Sequence, residues 1–167
     1  FKVKKYFTLF ISLFFISCAS EKQQSFVYLC PEILFSKDHR IYISSEEQSL
    51  TLNNVSYKAE INNYNFIDEC IISSNNTKSR LSILFVVKPE KAKNSNIILP
   101  YYIAILDDQK NIVDIQYYKV VGDLKKDIDK SSYIETEIID TQDINISSSN
   151  NILIGFMLDK EKMNIIN

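Results

Sequence analysis

Residues 55–61 read Val55-Ser56-Tyr57-Lys58-Ala59-Glu60-Ile61. Apolar and polar side chains alternate without a break. A period of two places Val55, Tyr57, Ala59 and Ile61 on one face of an extended chain and Ser56, Lys58 and Glu60 on the other, whereas a helix would space its apolar positions three and four apart. The stretch predicts a strand with one face on a core and one in water. The same chemistry recurs outward from it. Arg80 to Val87 is a Leu/Ile/Phe/Val run closed by Lys88-Pro89, and its length and β-branched content predict a central strand. Tyr101–Leu106 and Ile112–Val121 flank Asp107-Asp108-Gln109-Lys110-Asn111, the pattern of a hairpin with a polar loop of about five residues. Tyr133–Ile139 and Ile152–Leu158 complete the longer set, with Arg40–Ile43 and Ser49–Leu52 as shorter candidates.

Polar breaks separate these runs at 44–48, 73–79, 91–96 and 143–151. Short strands at this spacing predict an all-β fold, an antiparallel sandwich or barrel, and of the two the expectation is a β-sandwich of the immunoglobulin-like kind. Helical periodicity is confined to the end, where Asp159 is placed to cap a short turn through Lys160-Glu161-Lys162-Met163. With 2 Gly and 3 Pro in the whole chain, the turns fall to Asn and Asp, which tolerate left-handed backbone better than other side chains. No internal repeat and no second domain is visible.

The first residues follow a different plan. Lys2, Lys4 and Lys5 precede an apolar run from Tyr6 to Ile16, and Ser17, Cys18, Ala19 and Ser20 follow it. A cationic start, a short apolar stretch and small residues make a secretory signal. The run is shorter than the roughly 20 apolar residues a permanent spanning helix needs. Phe15-Ile16-Ser17-Cys18 resembles the lipobox of bacterial lipoproteins, with Phe15 where that family prefers Leu. The resemblance implies lipidation of Cys18 and cleavage just before it. Ordinary signal peptidase is the alternative, since Ser17 and Ala19 offer it small residues at the required spacing. The chain then divides into a signal peptide at 1–17, a lipidated cysteine and polar tether at 18–25, and a single domain at 26–167. Several acyl chains on Cys18 would suffice for stable anchoring, which a single chain does not give. Ala19 is not the Asp that resembles an inner-membrane retention signal, which points to the outer membrane.

Charge narrows the partners. The chain carries 19 Lys+Arg against 21 Asp+Glu, and three of the lysines leave with the signal. The remaining domain is acidic, which argues against nucleic acid as a partner, because such binders present a basic face. It also offers no polybasic patch for anionic lipid. Membrane attachment is therefore assigned to the lipid on Cys18.

If Cys18 carries lipid, Cys30 and Cys70 remain, and an exported domain is expected to pair them. The bridge would close a loop of about 40 residues and contribute roughly 4 kcal/mol on the chain-entropy model. Two free buried thiols are the alternative. Two cysteines and a single histidine at scattered positions do not make a tetrahedral metal set, and no metal or cofactor is expected.

No arrangement of residues identifies a reaction, so no catalytic residue is assigned. His39 lies in Ser36-Lys37-Asp38-His39-Arg40, a polar stretch that reads as a loop, without the Gly-rich elbow and oriented serine of a nucleophilic triad. Asp68-Glu69, Asp107-Asp108 and Glu135 with Glu137 are carboxylate pairs; polar exposure accounts for them more simply than the paired carboxylates of a glycosidase cleft. Asp107–Asn111 lacks the Gly and terminal Glu of an EF-hand loop, and phosphate and dinucleotide loops need more glycines than the chain has. Asn54-Val55-Ser56 and Asn75-Asn76-Thr77 match the glycosylation triplet as coincidences of an Asn-rich chain.

Aromatic residues are the remaining feature. Tyr57, Tyr64, Tyr101, Tyr102, Tyr117 and Tyr118 fall on or beside predicted strands, and neighbours on a strand point to opposite faces. One member of each pair is expected outward, with Tyr102 and Tyr118 as the candidate exposed aromatic surface for glycan or protein. Tyrosine also simply suits a half-buried sheet surface.

Cys30-Pro31, Tyr57-Lys58-Ala59-Glu60-Ile61 leading to Cys70, Pro100-Tyr101-Tyr102-Ile103-Ala104-Ile105-Leu106-Asp107 and Ile154-Gly155-Phe156-Met157-Leu158 resemble segments of a group of small, uncharacterised alphaproteobacterial lipoproteins. With the lipobox they span most of the chain thinly. The resemblance implies the same anchoring and a β-rich domain, and it brings no reaction or ligand with it. The functional expectation is a non-enzymatic envelope lipoprotein that binds another envelope component, most plausibly a protein. Alternatives are a carboxylate-dependent glycan or peptidoglycan hydrolase and a small-ligand carrier.

Overall fold

The computed structural model describes residues 30–68, 70, 77–146 and 151–166. The expected signal at 1–17, Cys18, the expected tether, Glu69 and the Asn75-Asn76 part of the second triplet lie outside the described residues. Ten strands follow in order: β1 Ile33–Phe35, β2 Ile41–Ser44, β3 Tyr57–Phe66, β4 Thr77–Pro89, β5 Asn96–Leu106, β6 Ile112–Asp123, β7 Lys125–Lys126, β8 Tyr133–Ile134, β9 Thr136–Ile146 and β10 Asn151–Phe156, and a short helix α1 spans Lys160–Ile166. Two four-stranded sheets pack face to face, ordered β1-β10-β5-β6 and β2-β3-β4-β9, with β7 and β8 as a small ribbon. All pairings are antiparallel except the parallel β1–β10 pair. The chain is thus an all-β sandwich with one short C-terminal helix.

The core forms where the two inner faces meet. Leu81, Ile83, Phe85 and Val87 on β4 are fully buried, as are Ile97, Leu99 and Tyr101 on β5 and Ile152, Ile154 and Phe156 on β10. Each set advances by two residues, the spacing that keeps side chains on one face. The opening alternation behaves the same way, with Tyr57, Ala59 and Ile61 in the core and Lys58 exposed. At the centre the Phe85 ring lies 5.2 Å from Tyr101 and 5.7 Å from Phe156. The Arg80–Val87 run is central, with β3 on one side and β9 on the other.

Three expectations change. Ser49–Leu52 forms no strand: the Asn54 amide donates to the Ser49 carbonyl and its Oδ1 accepts from the Thr51 amide, folding the segment into a loop. Tyr133–Ile139 is split at Glu135, because Thr136 Oγ1 accepts from the Lys125 amide and donates to the Ile134 carbonyl. The polar segment 143–151 is not wholly a break, since β9 continues to Ile146. The hairpin of β5 and β6 stands as read, with a bulge between Ile105 and Leu106. Asp159 caps α1, its Oδ1 accepting from the Lys162 amide at 2.9 Å.

Candidate functional site

Cys30 and Cys70 form a disulfide. It joins the lead into β1, on one sheet, to the segment after β3, on the other. Cys70 is buried and its Sγ lies 3.8 Å from the Ser79 hydroxyl.

The candidate reactive groups are engaged locally. His39 sits in the β1–β2 connection, and its carbonyl accepts from the Phe156 amide at 2.7 Å. Its Nδ1 lies 3.1 Å from the Phe156 carbonyl, a donor contact when that nitrogen carries the proton. The residue therefore clips the β1–β2 loop to the end of β10. Asp68 accepts two hydrogen bonds from the Arg80 guanidinium, at 2.6 and 2.9 Å, and this pairing holds its carboxyl below the ordinary range. Asp107 Oδ1 accepts from the amides of Gln109 and Asn111, so its acidity rests on the hairpin turn, the Asn111 amide foremost. Glu135 lies 3.5 Å from Lys88 Nζ. Among the described residues no group of three or more His, Cys, Asp and Glu side chains could hold a metal ion, and no helix is long and apolar enough to cross a membrane.

The tyrosine pairs alternate as expected, but the exposed members differ. Tyr101 points into the core and donates to Asp140 Oδ2 at 2.7 Å. Burial foremost, then that carboxylate, drives its phenol far above the ordinary value. Tyr102 is half-buried, its ring edge-on to His39 at 5.8 Å and laid over Gly155. Tyr118 is half-buried and faces inward, stacked on Tyr101 at 5.3 Å. The outward aromatic of the second pair is Tyr117, 62% exposed. Register explains the swap: Tyr101 pairs with Tyr118 and Tyr102 with Tyr117, and directly paired residues share a face.

These positions divide the surface into three regions. The first is the outer face of the β1-β10-β5-β6 sheet. Ile98 pairs with Val121, Tyr102 with Tyr117 and Ala104 with Ile115; Ile98 is 48% exposed and Val121 62%. Two charged residues share this face, Lys119 opposite Pro100 and Asp123 opposite Asn96. The other sheet's outer face is broken by charges, with Arg40 beside Glu60 and Lys88 beside Glu135. The second region is the seam where the edge strands β6 and β9 face each other. Here Gln142 and Tyr101 both donate to Asp140, while Tyr118 donates to Gln116 and Gln116 to Asp114. Inward polar groups at an edge oppose the addition of a foreign strand. The third is a cavity of about 350 Å³ between β2, the 50s loop and α1.

Sequence reasoning missed the cavity because its walls lie far apart in the chain. It missed Tyr117 because local alternation cannot say which member of an adjacent pair faces the core. No protein-family model, no curated protein and no solved structure matches the chain.

Proposed function

We propose that this protein is a lipid-anchored module of the bacterial envelope, held to the outer membrane through Cys18 and facing the periplasm, that binds another envelope protein without catalysing a reaction. The observation that carries the reading is the outer face of the β1-β10-β5-β6 sheet. Exposed Ile98, Tyr117 and Val121 share this face with Lys119, which lies between Tyr117 and Val121, and with Asp123 at its end, and apolar side chains gathered on an exposed face mark interaction sites. An exposed tyrosine on such a face suits a protein partner, since interfaces are enriched in Tyr. The local pairing of His39, Asp68, Asp107 and Glu135 gives each a structural role and supports a binding module over a carboxylate-dependent hydrolase.

The test uses protein made with its own leader, wild type beside Cys18→Ser, with a photo-crosslinker at position 117 or, as control, at Thr141 on the opposite sheet. An acyl mass gain with detergent partition, lost in the variant, is the expected sign of the anchor. A discrete protein adduct from position 117, absent from 141 and removed by Val121→Glu, is the expected sign of the docking face. A soluble mature chain beginning at or after Ser20 would overturn the anchor, and equal adducts from both faces would overturn the interface.

A further inference from the structure

We infer that the cavity between β2, the 50s loop and α1 binds a single-chain amphiphile with one anionic head group. It lies on the outer face of the β2-β3-β4-β9 sheet, opposite the docking face, so it stands or falls separately from the envelope reading. Its apolar surface comes from three places: Ile41 and Ile43 on β2, Leu52 and Val55 in the loop, and Ile165 and Ile166 at the end of α1. These six side chains face one space on a sheet face that elsewhere carries charges.

Two features indicate an occupant. Leu52 is 76% exposed, so folding gains little from an apolar side chain there. One hydrogen bond ties two of the walls together: Glu161 Oε1 on α1 accepts from the Leu50 amide at 2.9 Å. Volume sets the size of the ligand. The space is a half-open cleft of about 350 Å³, at the small end of the roughly 300–1,000 Å³ usual for ligand pockets, a size that suits one acyl chain better than two.

Charge sets the head group. Lys58, Lys91 and Glu90 complete the lining, a net charge that one monoanion neutralises. Lys91 Nζ donates to the Asn53 carbonyl at 2.6 Å, so the ammonium is held at the rim and its remaining protons can meet a carboxylate. A charge-assisted bond at the rim and an apolar bed behind it are the two elements that fatty-acid recognition requires.

The test is calorimetric titration of dodecanoate, below its micelle concentration, into protein made with its own leader and carrying Cys18→Ser, so that no acyl group of its own competes. Saturable binding at one site is expected. Leu52→Asp and Ile166→Asp, both at the cavity rim, should each weaken it at least tenfold with the melting temperature retained. Lys58→Glu combined with Lys91→Glu should weaken dodecanoate at least tenfold and dodecanol less than threefold. Absence of saturable binding, or binding indifferent to both aspartates, would overturn the site. Equal loss of dodecanoate and dodecanol in the lysine variant would overturn the anionic head group.

Discussion

Gly155 is one of two glycines in the chain, and its place is fixed by contact rather than by backbone conformation. A β-carbon there would stand 2.5 Å from the Tyr102 hydroxyl, 2.7 Å from Tyr102 Cζ and 2.9 Å from His39 Cβ. The tyrosine ring and the histidine loop together fill the space that a side chain would take. Gly155→Ala is therefore expected to destabilise the fold by about 1–3 kcal/mol, the usual cost of overpacking, read from urea unfolding. In a Tyr102→Leu background the same substitution should cost less than half as much, because the nearest obstacle is gone. A neutral Gly155→Ala would show that the ring moves freely and that Tyr102 does not cover the strand. The sequence places Tyr102 on a face opposite Tyr101, but that it covers Gly155 depends on the β5–β10 register, which no local pattern carries.

Among the elements, the hairpin of β5 and β6 was the most legible and its loop shows why. Asp107 accepts three hydrogen bonds through its carboxylate, from the Gln109 amide, the Asn111 amide and the Asn111 side chain, and Lys110 takes the left-handed conformation at φ 64°. Asp and Asn make such turns because their short side chains bond the backbone two residues on. These bonds lower the Asp107 carboxyl from its ordinary 3.8. A folded pKa below the unfolded one gives stability that is present above the unfolded value and lost as pH falls through the folded one. Asp107→Ala should thus lower Tm by roughly a few degrees at pH 7, and the gap from wild type should close as the pH falls below the carboxylate range. A gap unchanged from pH 7 to pH 2 would assign the loss to something other than the ionised carboxylate. The elements that escaped the sequence are those decided by few residues. β1 and β7, of 3 and 2 residues, are too short to show alternation. Ser49–Leu52 has strand-like residues whose backbone groups Asn54 takes instead.

For the molecule as a whole, the all-β class was legible because β4 and the first halves of β3, β5 and β10 place every second side chain in the core, the pattern of sheets with one buried face. The cavity was not, since its walls meet only through folding, and the proposed docking face was not, since local alternation does not say which face of the β5–β6 hairpin meets the core. The disulfide lies between these cases: pairing was expected of two cysteines in a domain read as exported, and what it joins follows from topology. It links the β1 lead to the end of β3, so it fixes one sheet against the other where β1 contributes only a short parallel pairing to β10. With a sequence separation of 40, the bridge removes substantial freedom from the unfolded chain, and loss of such a bond typically costs about 2–5 kcal/mol. Reductant should therefore lower the urea midpoint of the wild type to that of Cys30→Ala/Cys70→Ala and leave the variant unmoved. If reductant and the double substitution both left the midpoint in place, the two sheets would be held by their apolar contact alone. The cross-link would then serve some end other than the stability of the fold.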